Sequence, residues 1–308
     1  MLIDVIVPNY NGFDLLKENL LKVIEETKKY KGSIIIVDDG SDKTEFDKLE
    51  SFIKSLSNSA VMLLRNEKNL GFSSTVNRGV AKSNADFVVI LNTDVVPEKN
   101  FLEAAIEDLQ SDENLMGVGF MDKSIEDGKT VLRGRGLARW EKGFLVHRRG
   151  DVDRTDTFWI SGGSSLIRRD VFEKHSGFDT LYNPFYWEDI DFSYRVRKSG
   201  FKVKFEPKSI VIHKHNEGAI KKNFTESQVK TIAYRNQFIF VWKNVTDFNL
   251  IASHLLWMPY HLLTAILRLD LSFLIGFILA IFRLPDIIMK RSKQKKLYTN
   301  KDSILFKS

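Results

Sequence analysis

The chain contains no cysteine. Disulfides and thiolate metal sites are therefore excluded, and the composition fits a reducing compartment. No G-x-G-x-x-G follows the first apolar segment, where "PNYNGFD" offers a single glycine, so a dinucleotide-binding turn is not expected. No G-x-x-x-x-G-K-[ST] phosphate loop occurs, nor a glycine-rich, lysine-bearing N-terminal loop of the sugar nucleotidyltransferase kind. Helix-turn-helix, zinc-finger and RNA-recognition signatures are missing, and no repeat stands out, so no nucleic acid is expected as a partner. The opening "MLIDVIVPNYNG" has neither a basic leader region nor a small-residue cleavage site, and it reads as a first strand. The N-x-T sequons at Asn223 and Asn244 are accordingly read as chance.

What is present is enough material for one large domain or two ordinary ones, 308 residues with 43% hydrophobic and 28% charged residues, which predicts a packed core. The net charge of +6 is local. Arg283 to Ser308 holds eight Lys/Arg against two Asp, so the preceding 282 residues sum to zero. Such a tail suits nucleic acid or an anionic bilayer, and the segment before it decides between them.

Apolar runs alternate with helix-spaced patterns through the first part. Strands are expected near 2–8, 33–39, 60–66, 86–92 and 115–121, and helices near 13–29, 43–57, 70–83 and 97–110, the last opening on Pro97. Continuous apolar strands separated by helices imply a mostly parallel sheet covered on both faces. Ligands of such sheets lie at the strands' C-terminal ends, where Pro8–Asn11, Asp38–Asp39 and Asn92–Asp94 all fall. Residues 122–157 read as loops and short strands. A strand over 157–169, helices carrying "VFEKHSGF" and "WEDIDFSYRVRKSG" with Gly200 as cap, and strands "KVKFEP" and "SIVIHKH" follow.

From about 224 the chain becomes helical and apolar, then basic. Arg268 and Asp270 divide the apolar runs into pieces of about a dozen residues, short of the roughly 20 a spanning helix needs. Trp257, Tyr260, Arg268 and Arg283 suit a headgroup zone. The expectation is an interfacial or re-entrant helical hairpin anchored to an anionic membrane surface by the tail, with a buried subdomain or a homo-oligomer interface as the competing reading.

Four polar clusters could carry chemistry. "VDDGS" ends the second strand with two acids able to accept from a base or ribose hydroxyls, or simply to turn the chain. Asp94 in "LNTDVVP" could ligate a hard divalent cation, or cap the helix after Pro97. In "WEDID", a helical Glu188 and Asp191 share a face and Asp189 points about 100° away from Glu188. Acids there suit a helix N-terminus, and one at a cleft edge could act as a general base. In "HKH", 213–215, both imidazoles of a strand face one side, as metal ligands or as structural groups.

In order, "VIVPNYNG", "VDDGS", "NLGFSSTVNRG", "LNTDVVP", "SGGSSLIRRDVF", "GFDTLYNPFYWEDIDFSYRVRKSGFKV" and "IVIHKH" resemble the family 2 glycosyltransferases of the GT-A fold, in the rhamnosyltransferase and galactofuranosyltransferase-like branch. The likeness covers roughly residues 1–215. It implies a Rossmann-like α/β domain over 1–223 and a membrane-associating helical region over 224–308. It implies a nucleotide-diphosphate sugar donor near Pro8, Tyr10, Asn11, Asp38, Asp39, Asn77, Arg78, Asn92, Thr93 and Asp94. It implies Mg²⁺ or Mn²⁺ on Asp94 and His213, and Asp189 as catalytic base. Gly162, Gly163, Trp187 and Glu188 would line the acceptor side. The first acid of the family's D-x-D is Asn92 here, an N-x-D that this branch also shows and that leaves one fewer charge near the metal. The implied reaction is metal-dependent, inverting transfer to a glycan or lipid-linked hydroxyl in cell-envelope polysaccharide or glycolipid assembly, at the cytoplasmic face of the membrane. A non-catalytic nucleotide-sugar-binding scaffold subunit is the alternative.

Overall fold

The computed structural model describes residues 1–126, 129–213 and 224–306. Its centre is a sheet begun by β1 (Ile3–Asn9), β2 (Ile34–Asp38), β3 (Val61–Arg65) and β4 (Phe87–Leu91), mutually parallel in the order β3-β2-β1-β4. Alternation decides what each strand feeds. Val5, Val7, Ile34 and Ile36 enter one core with α1 (Phe13–Thr27). Ile6, Ile35 and Val37 enter the opposite core with α3 (Phe72–Lys82). Strands buried on both faces are continuous apolar runs for this reason. The helix α2 (Lys43–Ser55) covers the β3 side.

The sheet continues through β10 (Ser164–Arg168), β6 (Leu115–Glu126), β11 (Lys202–His213) and the short β5 (Val95–Pro97). β10 is antiparallel to both neighbours, β11 is parallel to β6, and β5 is antiparallel to β11, so the sheet is mixed. β7 (Lys129–Arg133) pairs with the end of β6, and β8 (Gly136–Glu141) with β9 (Phe144–Arg149) forms a separate hairpin.

Three expectations change. Pro97 does not open a helix: Val95–Pro97 is a strand and α4 begins at Glu103 (α4, Glu103–Ser111), because Val95 and Pro97 find a buried edge on β11. "KVKFEP" and "SIVIHKH" form one strand to His213, with a register shift between Glu206 and Ile210; Lys214 and His215 lie outside the described residues. β6 runs on to Glu126, past its expected end near 121, while β7, β8 and β9 are the short strands expected within 122–157.

α5 (Arg169–Lys174) and α6 (Glu188–Lys198) complete this part, and Gly200 ends α6 in the left-handed region at φ 94. The C-terminal elements are α7 (Glu226–Asn244), α8 (Phe248–Leu267), α9 (Leu271–Ile281), α10 (Leu284–Lys295) and the single turn α11 (Asp302–Leu305). A Thr225–Gln228 capping box starts α7. α8 has 20 residues and is long and apolar enough to cross a membrane, longer than the expected pieces because Arg268 lies just beyond its end; α9 and α10 form a pair bent by 65°. The expected boundary at residue 223 lies outside the described residues. On either side of it, Phe144, Leu145, Tyr182, Trp187 and Tyr194 share one core with Phe238, Phe240, Phe273, Ile287 and Leu305.

Candidate active site

The rim at the ends of β1, β2 and β4 is built from loops that tie one another down. Asn9 Nδ2 donates to Asp38 Oδ1 at 2.9 Å, and the Ser41 amide donates to Asp38 Oδ2 at 3.1 Å. Asp38 is fully buried, and its carboxylate is taken up by this turn. Asp39 gathers the loop after β3: Asn66 Nδ2 and the Leu70 amide donate to Oδ1 at 2.7 and 2.9 Å, and the Gly71 amide to Oδ2 at 2.9 Å. A carboxylate has about four lone-pair sites, so Asp39 keeps capacity for one more donor. Asn11, left-handed at φ 46, accepts from the Asp42 amide through Oδ1 at 2.9 Å, joining the β1 and β2 loops. Pro8 and Tyr10 flank it, half-buried.

The two residues of "NRG" are engaged elsewhere. Asn77 donates to the Phe178 carbonyl at 2.7 Å and accepts from the Phe178 amide at 2.9 Å. Arg78 donates to the Arg65 carbonyl and to Asn66 Oδ1. Asn77 ties α3 to the Phe178 backbone, whereas Arg78 supports Asp39 on the rim through Asn66.

The end of β4 answers the N-x-D expectation. The Asn92 amide donates to the Gly163 carbonyl at 3.0 Å. A Cβ at Gly163 would lie 2.3 Å from Asn92 Nδ2, so a larger residue there would displace the Asn92 side chain. Thr93 is anchored by Asn19, whose Nδ2 donates to its carbonyl at 2.7 Å. Asp94, 7% exposed, puts Oδ2 3.2 Å from His213 Nε2. His213 Nδ1 is 2.9 Å from Asp122 Oδ2. Burial pulls the imidazole pKa down, but the bonds to Asp122 and Asp94 more than reverse this and leave it at about 9. Once the Nε2 proton is displaced, Asp94 and His213 would offer a hard oxygen and an imidazole nitrogen, a donor set that suits Mg²⁺ or Mn²⁺. Among the described residues no group of three or more such side chains is arranged to hold a metal, so other positions would go to ligand oxygens and water.

The acids of "WEDID" separate into three roles. Asp191 is fully buried and accepts from Tyr182 Oη at 2.8 Å, Arg195 Nε at 2.7 Å and Asn244 Nδ2 at 2.7 Å, with Lys243 Nζ at 2.6 Å. Burial raises its pKa and the Lys243 and Arg195 charges more than offset that, so it is held below the ordinary carboxylate range. Glu188 is buried, and its Oε2 has no hydrogen-bond partner. Burial and then the Asp189 charge push its carboxyl well above the usual range. Asp189 accepts from the Ile190 amide at 2.8 Å and the Gly162 amide at 3.3 Å. Burial raises its pKa, while those amides favour the charged form. Both carboxyls are pushed up, Glu188 well above its ordinary value, and Asp189 is the one that two neighbouring amides favour in its charged form. Tyr186 and Trp187, just before α6, are both left-handed at φ 69 and φ 77, a conformation bulky side chains rarely adopt and one that clusters at functional sites.

The short segment Ser161–Gly163 connects the two halves. Its Gly163 meets Asn92, two residues before Asp94, and its Gly162 meets Asp189. Asp189 and the Asn92 end of β4 are thus bonded to adjacent residues of one segment, and Asp94, two residues past Asn92, meets His213. Asp122 and Ser124, whose Oγ donates to Asp122 Oδ1 at 2.9 Å, escaped the sequence reading. The signal was available: "LMGVGFMD" ends in an acid as "FVVILNTD" does. The network on Asp191 had no local signal, because Lys243 and Asn244 come from α7.

Residues 4–176 match the family model described as Glycosyl transferase family 2. The O-antigen chain rhamnosyltransferase RfbN of Salmonella typhimurium is 26% identical over 219 residues, covering 70% of this chain and 67% of that protein. The corresponding WbaN of Salmonella anatum is 24% identical over 216 residues, 69% of this chain and 66% of the relative. Among solved structures, GalNAc-T7 with UDP, GalNAc and Mn²⁺ superposes with a TM-score of 0.63 at 20% identity, over 79% of this chain and 48% of that one, so the present chain spans about half its length. The mannosyltransferase PcManGT of Pyrobaculum calidifontis, with GDP-Man and Mn²⁺, gives a TM-score of 0.56 at 16% identity over 96% of this chain and 84% of its own. With more than half of its length matched by the family model, on a GT-A fold, the chain belongs to glycosyltransferase family 2.

Proposed function

We propose that the chain is an inverting glycosyltransferase that moves a sugar from a nucleotide-diphosphate donor to a hydroxyl of a glycan or lipid-linked acceptor. The observation that carries this reading is the contact of Asp94 with His213, two residues past an Asn92 that is bonded to Gly163, while the adjacent Gly162 is bonded to Asp189. Asp189, whose charged form the Ile190 and Gly162 amides favour, takes the proton of the acceptor hydroxyl as its oxygen attacks the anomeric carbon. The bond from that carbon to the nucleotide diphosphate breaks on the opposite side, which inverts the configuration. Base catalysis of this kind contributes about 10²–10⁴-fold. Asp94 and His213 would hold a Mg²⁺ or Mn²⁺ ion, which when bound supplies positive charge to the departing diphosphate. Asp39, with its spare acceptor capacity, and the Pro8–Asn11 loop suit the nucleoside. Gly162, Gly163 and Trp187 suit the acceptor side.

The relatives RfbN and WbaN, named as O-antigen chain rhamnosyltransferases, support a role in cell-envelope polysaccharide assembly, with the exposed apolar C-terminal helices set against the cytoplasmic face of the membrane. The test is a panel of nucleotide-sugars screened for thermal stabilisation with and without Mn²⁺, followed by transfer assays with the stabilising donor. Asp189→Asn should lose at least about 10²-fold in transfer while donor stabilisation persists. Retention of most activity by that variant refutes the base assignment. A chain that binds donor yet neither hydrolyses nor transfers it is the scaffold of the alternative reading.

A further inference from the structure

We infer that Asp122 is the positioning residue of the cation site: it holds the His213 ring so that Nε2, and not Nδ1, is presented beside Asp94. The inference rests on the proposal that Asp94 and His213 bind a divalent cation, and it adds a residue that the family resemblance did not assign.

The backbone explains how three distant residues meet. β11 runs parallel to β6, and its register shifts where Glu206 pairs with Phe120 and Ile210 pairs with Met121, so Pro207, Lys208 and Ser209 bulge out. Past the bulge, Val211 pairs with Asp122 and His213 with Ser124. On its other edge, His213 pairs with Val95, the residue after Asp94. His213 is therefore threaded between the strand that carries Asp122 and the turn that carries Asp94. A bulge is the usual device for re-aiming a side chain at a site.

The side chains complete the argument. Asp122 Oδ2 lies 2.9 Å from Nδ1, and Asp94 Oδ2 lies 3.2 Å from Nε2. The two carboxylates thus take opposite nitrogens of one ring. Asp122 is itself fixed: Ser124, one step further along the same face of β6 and fully buried, donates to its other oxygen at 2.9 Å. A hydrogen bond that holds the proton on one ring nitrogen orients the ring and leaves the other as the one a metal takes when it displaces that nitrogen's proton. Asp122 meets the ring on the side away from Asp94, so its part is orientation and not ligation. Rotation of the ring would cost the Asp122 bond, which confines Nε2 to the Asp94 side.

The experiment measures Mn²⁺ affinity of the full chain directly, by electron paramagnetic resonance of the free ion, without donor or acceptor. Asp122→Asn is nearly isosteric and keeps an oxygen that can accept from Nδ1. Asp122→Ala removes the partner altogether. The expected losses are of the order of 10–100-fold, larger for alanine than for asparagine. Asp94→Asn, which removes a ligand itself, sets the floor. Equal Mn²⁺ affinity in Asp122→Asn and the parent chain, with Asp94→Asn weakened, overturns the inference and leaves the metal reading intact. Failure of the parent chain to bind Mn²⁺, or indifference of Asp94→Asn, overturns both. Should Asp122→Ala not fold, the asparagine variant alone decides. A carboxylate that served only to stabilise β6 would lower the melting temperature and leave the affinity of the folded protein unchanged.

Discussion

Glu188 and Asp189 are neighbours in the chain and are both pushed up by burial, but they are held differently. Asp189 has the Ile190 and Gly162 N–H groups, whereas Glu188 Oε2 has no partner. That difference makes a claim about stability. The folded pKa of Glu188 is raised, by burial first and the Asp189 charge second. Its neutral form in the folded state therefore contributes stability that is complete below the unfolded carboxyl value of about 4.3. The contribution is lost as pH rises toward the folded value, at about 1.4 kcal/mol per pH unit over that window. Glu188→Gln removes the dependence. Denaturant unfolding from pH 5 to 8 should show the parent chain losing stability more steeply than the variant, and parallel curves reject the assignment. At this scale the sequence was informative about which residues matter and silent about how they differ. "WEDID" offers three acids in one helical turn with nothing local to separate them. Asp191 is set apart only by Arg195, Lys243 and Asn244 closing on it.

Among elements, those whose burial follows from their own pattern were legible. β4 is an uninterrupted apolar run, β2 is one up to Asp38 and β1 is one broken only by the buried Asp4 before Asn9, and both faces of each are covered. β5 was read as the start of a helix because three residues cannot announce a strand whose only reason is the edge of β11. The bulge in β11 was equally hidden, and with it the link from Asp122 to His213. α11 is the clearest case of an element defined by remote contacts. It is one turn long, yet its Asp302 is fully buried, accepts from the Thr246 and Asp247 amides at 2.6 Å each, and pairs with the buried Lys198 at the end of α6. The turn thus pins the end of α6 to the start of α8. Asp302→Ala would leave the Lys198 ammonium buried without its carboxylate, at a cost of about 3–5 kcal/mol. Chemical denaturation measures this directly; a loss below about 1 kcal/mol would mean that water reaches Lys198 and that the pin is weak.

At the scale of the whole molecule, the two-part organisation read from composition becomes a question about one surface. The C-terminal helices share a core with residues from 144 to 194, and Lys243 and Lys290 both reach Asp179 near α6. Deleting them to test membrane binding would expose that core and unpair buried charges, so release of such a fragment from vesicles would say nothing about lipid. The outer face gives a cleaner test. Leu256, Leu267, Leu269 and Phe282 are each at least 75% exposed, and Arg283, Lys295 and Lys296 are exposed along the same stretch. Apolar groups that stand free on α8 and α9, followed by cations on α10, match an anionic bilayer surface, where each cation near the surface contributes about 1 kcal/mol. The full chain should therefore sediment with vesicles containing anionic phospholipid and be released as salt is raised. Replacing Arg283, Lys295 and Lys296 by Gln should weaken partitioning more than tenfold, and Leu256→Gln with Phe282→Gln should abolish what remains. Neither change touches the Asp94–His213–Asp189 site, so donor stabilisation should persist in both variants. If the parent chain ignores anionic vesicles at physiological salt but runs as a dimer that Leu256→Gln and Phe282→Gln disperse, the face is an interface between copies and the membrane placement falls.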